Sequence, residues 1–232
     1  MSLNAVKMLG ISITISPKDK ILEYLEKGLE KRLAFSSQLS AKQKKTLVVV
    51  TPNPEQLVLA QKDKSFAEIL NRADVAIPDG IGLAAAMRFF NGQSTVHRIP
   101  GVEFMDDLAG LAAKRGYPIA LIGGRAGVAV SALECLSRRW PGLRGWAEEL
   151  PELSIGDLGD LGYLGEKIKK TKTKLVFVGL GAPKQEYFIE KLKVTVPLVL
   201  MSVGGSFDII SGRTPRAPHA IQAVHLEWFW RL

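Results

Sequence analysis

Cysteine is nearly absent: the 232-residue chain has one, Cys135. No internal disulfide can therefore staple the fold, and a reducing cytoplasm with the thiol as core filler is the straightforward reading. No apolar run reaches the roughly 18 residues that a spanning helix needs. The opening MSLNAVKMLG lacks the charged-then-apolar layout of a signal peptide. His97, His219 and His225 show no zinc-ligand spacing, so neither a metal site nor a cofactor is expected. The GxSxG elbow, the GxGxxG fingerprint and the GxxxxGK[ST] loop are all missing. Their absence argues against a hydrolase elbow, a dinucleotide site and a P-loop. No internal repeat or low-complexity tract appears.

What is present is a chain that can bury a sizeable core. Its residues are 47% hydrophobic, and 22 glycines and 12 prolines are spread along it as turn punctuation. A net charge of +8 favours an anionic partner, whether a nucleotide, a phospholipid surface or a nucleic acid. Composition does not choose among the three. Nothing interleaves basic and aromatic residues as nucleic-acid modules do, so no nucleic-acid partner is expected.

Strand-like and helix-like segments alternate along the chain. Met8–Ile15 reads as a strand and Pro17–Arg32 as a helix with Ile21, Leu22, Leu25 and Leu29 on one face. A polar, loop-like Phe35–Lys45 follows, and then strands at Leu47–Val50, Val75–Ile77, Pro118–Ile122, Leu175–Val178 and Val196–Val203, with a further one near Gly145. Helices are expected at Glu55–Gln61, Ser65–Arg72, Ile81–Phe90, Val102–Arg115, Gly124–Arg139, Leu161–Lys170, from Pro183, and over Pro218–Leu232. This alternation implies an α/β fold, a mostly parallel Rossmann-like sheet with helices on both faces. Residues 1–214 would form that core and 215–232 a C-terminal helix.

The segment LVFVGLGAPKQE, Leu175–Glu186, carries the strongest local signal. A buried strand runs through Gly179 and Gly181 into a helix opened by Pro183. Such a turn aims helix N-terminal amides at whatever sits above it, a geometry suited to phosphate, although glycine turns also serve packing. Ligands of parallel sheets bind beyond the carboxyl ends of the strands. That rule groups Thr51–Pro54, Pro78–Gly82, Gly123-Gly124, Gly179–Gln185 and Gly204–Asp208. Asp79 lies at a strand end in a Pro-Asp-Gly turn, where an Asx-turn or helix cap competes with a catalytic role. Thr51 and Asn53 read equally as caps, and Asp208 as a turn residue or a ribose ligand.

Taken in order, TPNPEQ (51–56), IPDGIG (77–82), HRIPG (97–101), VGLGAPKQE (178–186), GGSFDIISG (204–212) and PRAP…LEWFWRL (215–232) form a far more specific pattern. The chain resembles the bacterial WecG/TagA/CpsF glycosyltransferase family from about residue 8 onward. The resemblance implies an inverting, metal-independent transfer of N-acetylmannosamine or a related sugar. The donor would be a UDP-sugar and the acceptor a polyprenyl-diphosphate-linked N-acetylglucosamine, in cell-wall or surface polysaccharide synthesis. Freedom from metal agrees with the lack of an Asp-x-Asp triplet. A Rossmann-like core, peripheral on the inner face of the plasma membrane, is implied as well.

Carried onto this sequence, the resemblance makes Asp79 the base that takes the acceptor's proton. Thr51 and Asn53 become pocket residues beside it, and Arg98 a guanidinium for the acceptor diphosphate. Gln185 falls near the donor sugar, and Gly204, Gly205 and Asp208 at the nucleotide end. Family members commonly continue past LEWxxRL into a basic, membrane-docking appendage, whose start residues 215–232 would be. Trp228, Phe229 and Trp230 beside Arg231 suit a lipid headgroup boundary, contact with a second copy, or packing on the chain's own core. A non-catalytic protein that binds nucleotide sugar or lipid diphosphate is the alternative from another class.

Overall fold

The computed structural model describes residues 2–34, 46–91, 96, 98–152, 154–156, 158–192 and 198–214. The polar 35–45 segment, His97 and the expected closing helix lie outside them.

The chain opens with a hairpin, β1 (Ala5–Met8) and β2 (Ile11–Thr14), paired antiparallel. The sequence reading placed one strand across this turn. Leu9 and Gly10 both take positive φ, 48° and 78°, which is the two-residue turn geometry that matches strand twist and folds the segment back. Helix α1 (Lys18–Ala34) follows and buries Ile21, Leu25 and Leu29.

The remaining strands are β3 (Thr46–Val50), β4 (Val75–Ala76), β5 (Ile119–Gly123), β6 (Gly145–Glu148), β7 (Leu175–Gly179) and β8 (Leu198–Ser202). They form one sheet in the order β4-β3-β8-β7-β5-β6, with every pairing parallel. The connecting helices are α2 (Pro54–Lys62), α3 (Lys64–Arg72), α4 (Ile81–Asn91), α5 (Gly101–Arg115), α6 (Val128–Arg139), α7 (Gly162–Lys170), α8 (Lys184–Lys191) and α9 (Ser206–Ile210). The molecule is thus the expected α/β sandwich with a parallel, Rossmann-like sheet.

Strand periodicity divides the core into two layers. On one face Leu175 and Phe177 of β7, with Val49 and Met201, pack against α1, α5, α6 and α9 through Leu25, Phe104, Ala132 and Phe207. On the other, Val176 and Val178 meet α7 and α8 through Leu164 and Phe188. Farther along that second face, Val50 and Ala76 meet α2, α3 and α4 through Leu57, Phe66 and Leu83. Both layers are almost fully closed to solvent, and each buried Phe contributes about 2 kcal/mol by area. The hairpin docks at the β4 end of the sheet, where Thr14 Oγ1 accepts the Ala76 amide at 3.1 Å.

This wiring positions the site. The chain leaves β3 and β7 for helices on one face, but leaves β8, which lies between them, for α9 on the other. The loops beyond β8 therefore diverge from their neighbours and open a crevice at the carboxyl edge, the switch point where such sheets bind ligands.

Candidate active site

A cavity of ≈ 890 Å³ fills that crevice. It is of the size that small-molecule sites occupy, typically up to about 1,000 Å³. Its walls come from the loops after β3, β4, β7 and β8 and from the approach to α5. Of the residues singled out in the sequence, Thr51, Asn53, Asp79, Arg98, Gly181, Gln185, Gly204 and Gly205 line it. Gly179 and Asp208 are not among the lining residues.

On the β3–β4 side, the Asp79 amide donates to Pro52 O at 3.0 Å, which ties the two strand-end loops together. The half-buried Asp79 carboxylate faces the start of α5. A Cβ on Gly101 would sit 3.4 Å from Asp79 Oδ2 and 3.3 Å from Thr51 Cγ2, so glycine is what lets the helix end approach both side chains. Thr51 is buried, and its Oγ1 donates to Ser202 O at 3.4 Å. Asn53 is the N-cap of α2, accepting the Gln56 amide at Oδ1 at 2.9 Å while it lines the cavity. The two readings of Asn53 are compatible. Glu55, Asp79 and Arg98 are the charged side chains among the described lining residues.

The β7–β8 side differs from what the glycine turn suggested. The first-turn amides of α8 are already bonded, Gln185 N–H to Gly181 O at 3.0 Å and Glu186 N–H to Pro183 O at 3.1 Å. Pro183 stands at the N-cap of this helix without a capping side chain. At those two positions no amide remains for a phosphate. Gly179 instead admits packing, since a Cβ there would meet the Phe207 ring at 2.7 Å. Asp208 sits half-buried in the first turn of α9, its carbonyl accepting Thr214 N–H and Ser211 Oγ–H.

Gln185 is 1% exposed and bridges two loops. Its Oε1 accepts the Gly204 amide at 2.9 Å, and its Nε2 donates to Glu186 Oε1 at 2.8 Å. Glu186, which the sequence puts in the first turn within reach of the same ligand as Gln185 but not among the site residues, is equally buried. Burial pushes its carboxyl up to about 7; the Gln185 amide, its own backbone N–H and the nearby Ser202 hydroxyl offset this only in part. Glu186 Oε2 and Ser202 Oγ, though close, fall short of hydrogen-bond geometry. Gln56 was also missed as a site residue. It lines the cavity, is 7% exposed, and has an Oε1 buried without a hydrogen bond among the described residues. Both residues stand in polar stretches of sequence, TPNPEQ and PKQE, that carry no local signal of burial.

Chemically, the cavity has a carboxylate and a hydroxyl on one wall, a glycine corner from the loops after β7 and β8, and Arg98 among its lining residues. It can hold an elongated polar ligand with one reacting hydroxyl near Asp79.

Comparison with known proteins shows the family. The model of the Glycosyl transferase WecG/TagA/CpsF family matches residues 22–232. A Bacillus subtilis (strain 168) protein is 31% identical over 212 residues, or 91% of this chain and 80% of that protein. It is named N-acetylglucosaminyldiphosphoundecaprenol N-acetyl-beta-D-mannosaminyltransferase. A Staphylococcus aureus (strain NCTC 8325) protein of the same name is 31% identical over 189 residues, covering 80% of this chain and 71% of its own. With the family match running through the strand-end loops that build the cavity, this chain belongs to the WecG/TagA/CpsF family of glycosyl transferases.

Proposed function

We propose that the protein moves N-acetylmannosamine, or a closely related sugar, from a UDP-sugar to a polyprenyl-diphosphate-linked N-acetylglucosamine. The observation that carries this reading is the placement of Asp79 in the wall of a cavity with a corner made by the glycine turns after β7 and β8. Asp79 takes the proton of the acceptor hydroxyl as its oxygen attacks the anomeric carbon. The bond from that carbon to the UDP oxygen breaks, UDP leaves with the electron pair, and the configuration inverts.

Thr51 and Asn53 flank the base, and Arg98 holds acceptor diphosphate by its planar fork. Gly181, Gln185, Gly204 and Gly205 shape the donor corner. Gly179 and Asp208 act from behind it, Gly179 by seating Phe207 under the β7–β8 loops. A donor group on the ligand would satisfy Gln56 Oε1, which is otherwise a buried acceptor without a bond.

Among the described residues no helix is long and apolar enough to cross a membrane. With a lipid-linked acceptor, the protein would work as a peripheral enzyme on the cytoplasmic face, its 215–232 segment meeting the membrane or a second copy.

The test is UDP release from UDP-N-acetylmannosamine with a short-chain prenyl-diphosphate N-acetylglucosamine, in EDTA. Release that needs both substrates and gives an inverted product supports the reading. Donor hydrolysis indifferent to the acceptor, or retention of configuration, contradicts it.

A further inference from the structure

Behind the cavity wall lies a buried acid that the proposed chemistry does not use. Glu186 is 1% exposed and is not among the residues lining the cavity. Burying a carboxylate is costly unless hydrogen bonds compensate it, and here Oε2 makes none among the described residues. What Glu186 does hold is the amide of Gln185, through Oε1 at 2.8 Å. Gln185 in turn holds the backbone of Gly204, through its own Oε1 at 2.9 Å. The chain of contacts runs from α8 across the crevice to the turn after β8, and its last two members line the cavity.

An ionised carboxylate offers only acceptors. It therefore compels Gln185 to present Nε2 toward Glu186 and Oε1 toward the Gly204 N–H. With a neutral amide at position 186, either end of the Gln185 side chain would find a partner there. In the flipped state its Nε2 would face the Gly204 N–H, donor against donor, and the glycine turn would lose its anchor.

We propose that Glu186 is a positioning residue, which locks the Gln185 amide in one orientation and so fixes the Gly204 corner for the donor nucleotide. This rests on the reading that the glycine corner is where the donor binds. It adds a residue that acts on the donor without contacting it.

The test is a double-mutant cycle on affinity for UDP-N-acetylmannosamine, measured by titration calorimetry at pH 8 without acceptor. The variants are Glu186→Gln, which keeps shape, and Gln185→Met, which keeps approximate volume and removes the bridge. Each single change is expected to weaken donor binding about tenfold, the equivalent of one hydrogen bond. The double variant should be no weaker than Gln185→Met alone, because Glu186 acts only through Gln185. In turnover, Glu186→Gln should raise the donor KM and leave the acceptor KM unchanged, while its melting temperature at pH 8 is no lower than that of the unaltered protein. A general structural role would lower the melting temperature and move both KM values.

Wild-type donor affinity in Glu186→Gln, with Gln185→Met weakened, would overturn the lock and leave the donor corner standing. Fully additive losses would overturn it too. Unchanged affinity in both single variants would instead remove the donor from this corner, and the lock with it.

Discussion

Single atoms decide the geometry around Asp79. A methyl group at position 101 would press on Thr51 Cγ2 at 3.3 Å, closer than ordinary contact, and would just touch Asp79 Oδ2 at 3.4 Å. Gly101→Ala is therefore expected to shift the Thr51 side chain in the cavity wall and lower kcat about tenfold with little change in melting temperature, read as acceptor-dependent UDP release. Asn53 has two duties, and they separate by substitution. Asn53→Ala should cost about 1 kcal/mol in urea unfolding through the lost α2 cap, whereas Asn53→Asp keeps the cap. At this scale the strand-end loops were readable for Thr51, Asp79 and Gly204, which line the cavity, but not for Gly179 and Asp208, which do not. The burial of Glu186 was not readable, because a glutamate near a helix start is ordinarily solvated. Its burial arises only when α8 is laid against the β7–β8 side of the sheet.

Among the elements, the α2–α3 junction shows how one side chain can organise a corner. Asp63 ends α2, caps α3 by accepting the Phe66 amide at 3.0 Å, and accepts the Tyr187 hydroxyl of α8 at 2.8 Å. The Phe66 amide first, and then the Tyr187 hydroxyl, hold its carboxyl below the ordinary 3.8. A group lowered on folding stabilises the native state above its unfolded pKa, and that contribution is lost as pH falls through the folded value. Asp63→Ala should thus cost about 1 kcal/mol at neutral pH, and the deficit should shrink in acid. Urea unfolding at neutral pH and below the ordinary carboxylate range would measure this, and a deficit that does not change with pH would contradict it.

Helices with clear apolar stripes, such as α1 and α5, were legible in sequence to within a few residues. The amino-terminal hairpin was not, since Leu9 in a left-handed conformation carries no local signal. Nor was α9, five residues long and shaped by its contacts with Phe207's neighbours rather than by periodicity. At the lysine-rich end of α7, Lys169 and Lys170 are exposed, while Lys167 pairs with Glu148 at 2.6 Å and lies over Trp146.

For the whole molecule, the fold follows from alternating elements, while the crevice follows from which face each helix takes. That choice is a tertiary decision, set by packing on both sides of the sheet, and no single segment encodes it. The buried Glu186 ties stability to the site. Its carboxyl is raised from 4.5 to about 7 on folding, so the unfolded chain releases the proton first as pH rises. Stability should fall across that window by on the order of a few kcal/mol and level off above it. Glu186→Gln should remove this slope, so that thermal melts of the two proteins diverge between acid and pH 8; parallel melts would deny the buried acid its titration.

The central claim is that Asp79 performs the proton transfer in a cavity that binds the donor independently of it. The most direct measurement is acceptor-dependent turnover of Asp79→Asn beside its affinity for UDP. Turnover should fall at least about a hundredfold, the usual contribution of a general base, with UDP affinity unchanged. Turnover close to that of the unaltered protein, or a parallel loss of UDP affinity, would contradict the account.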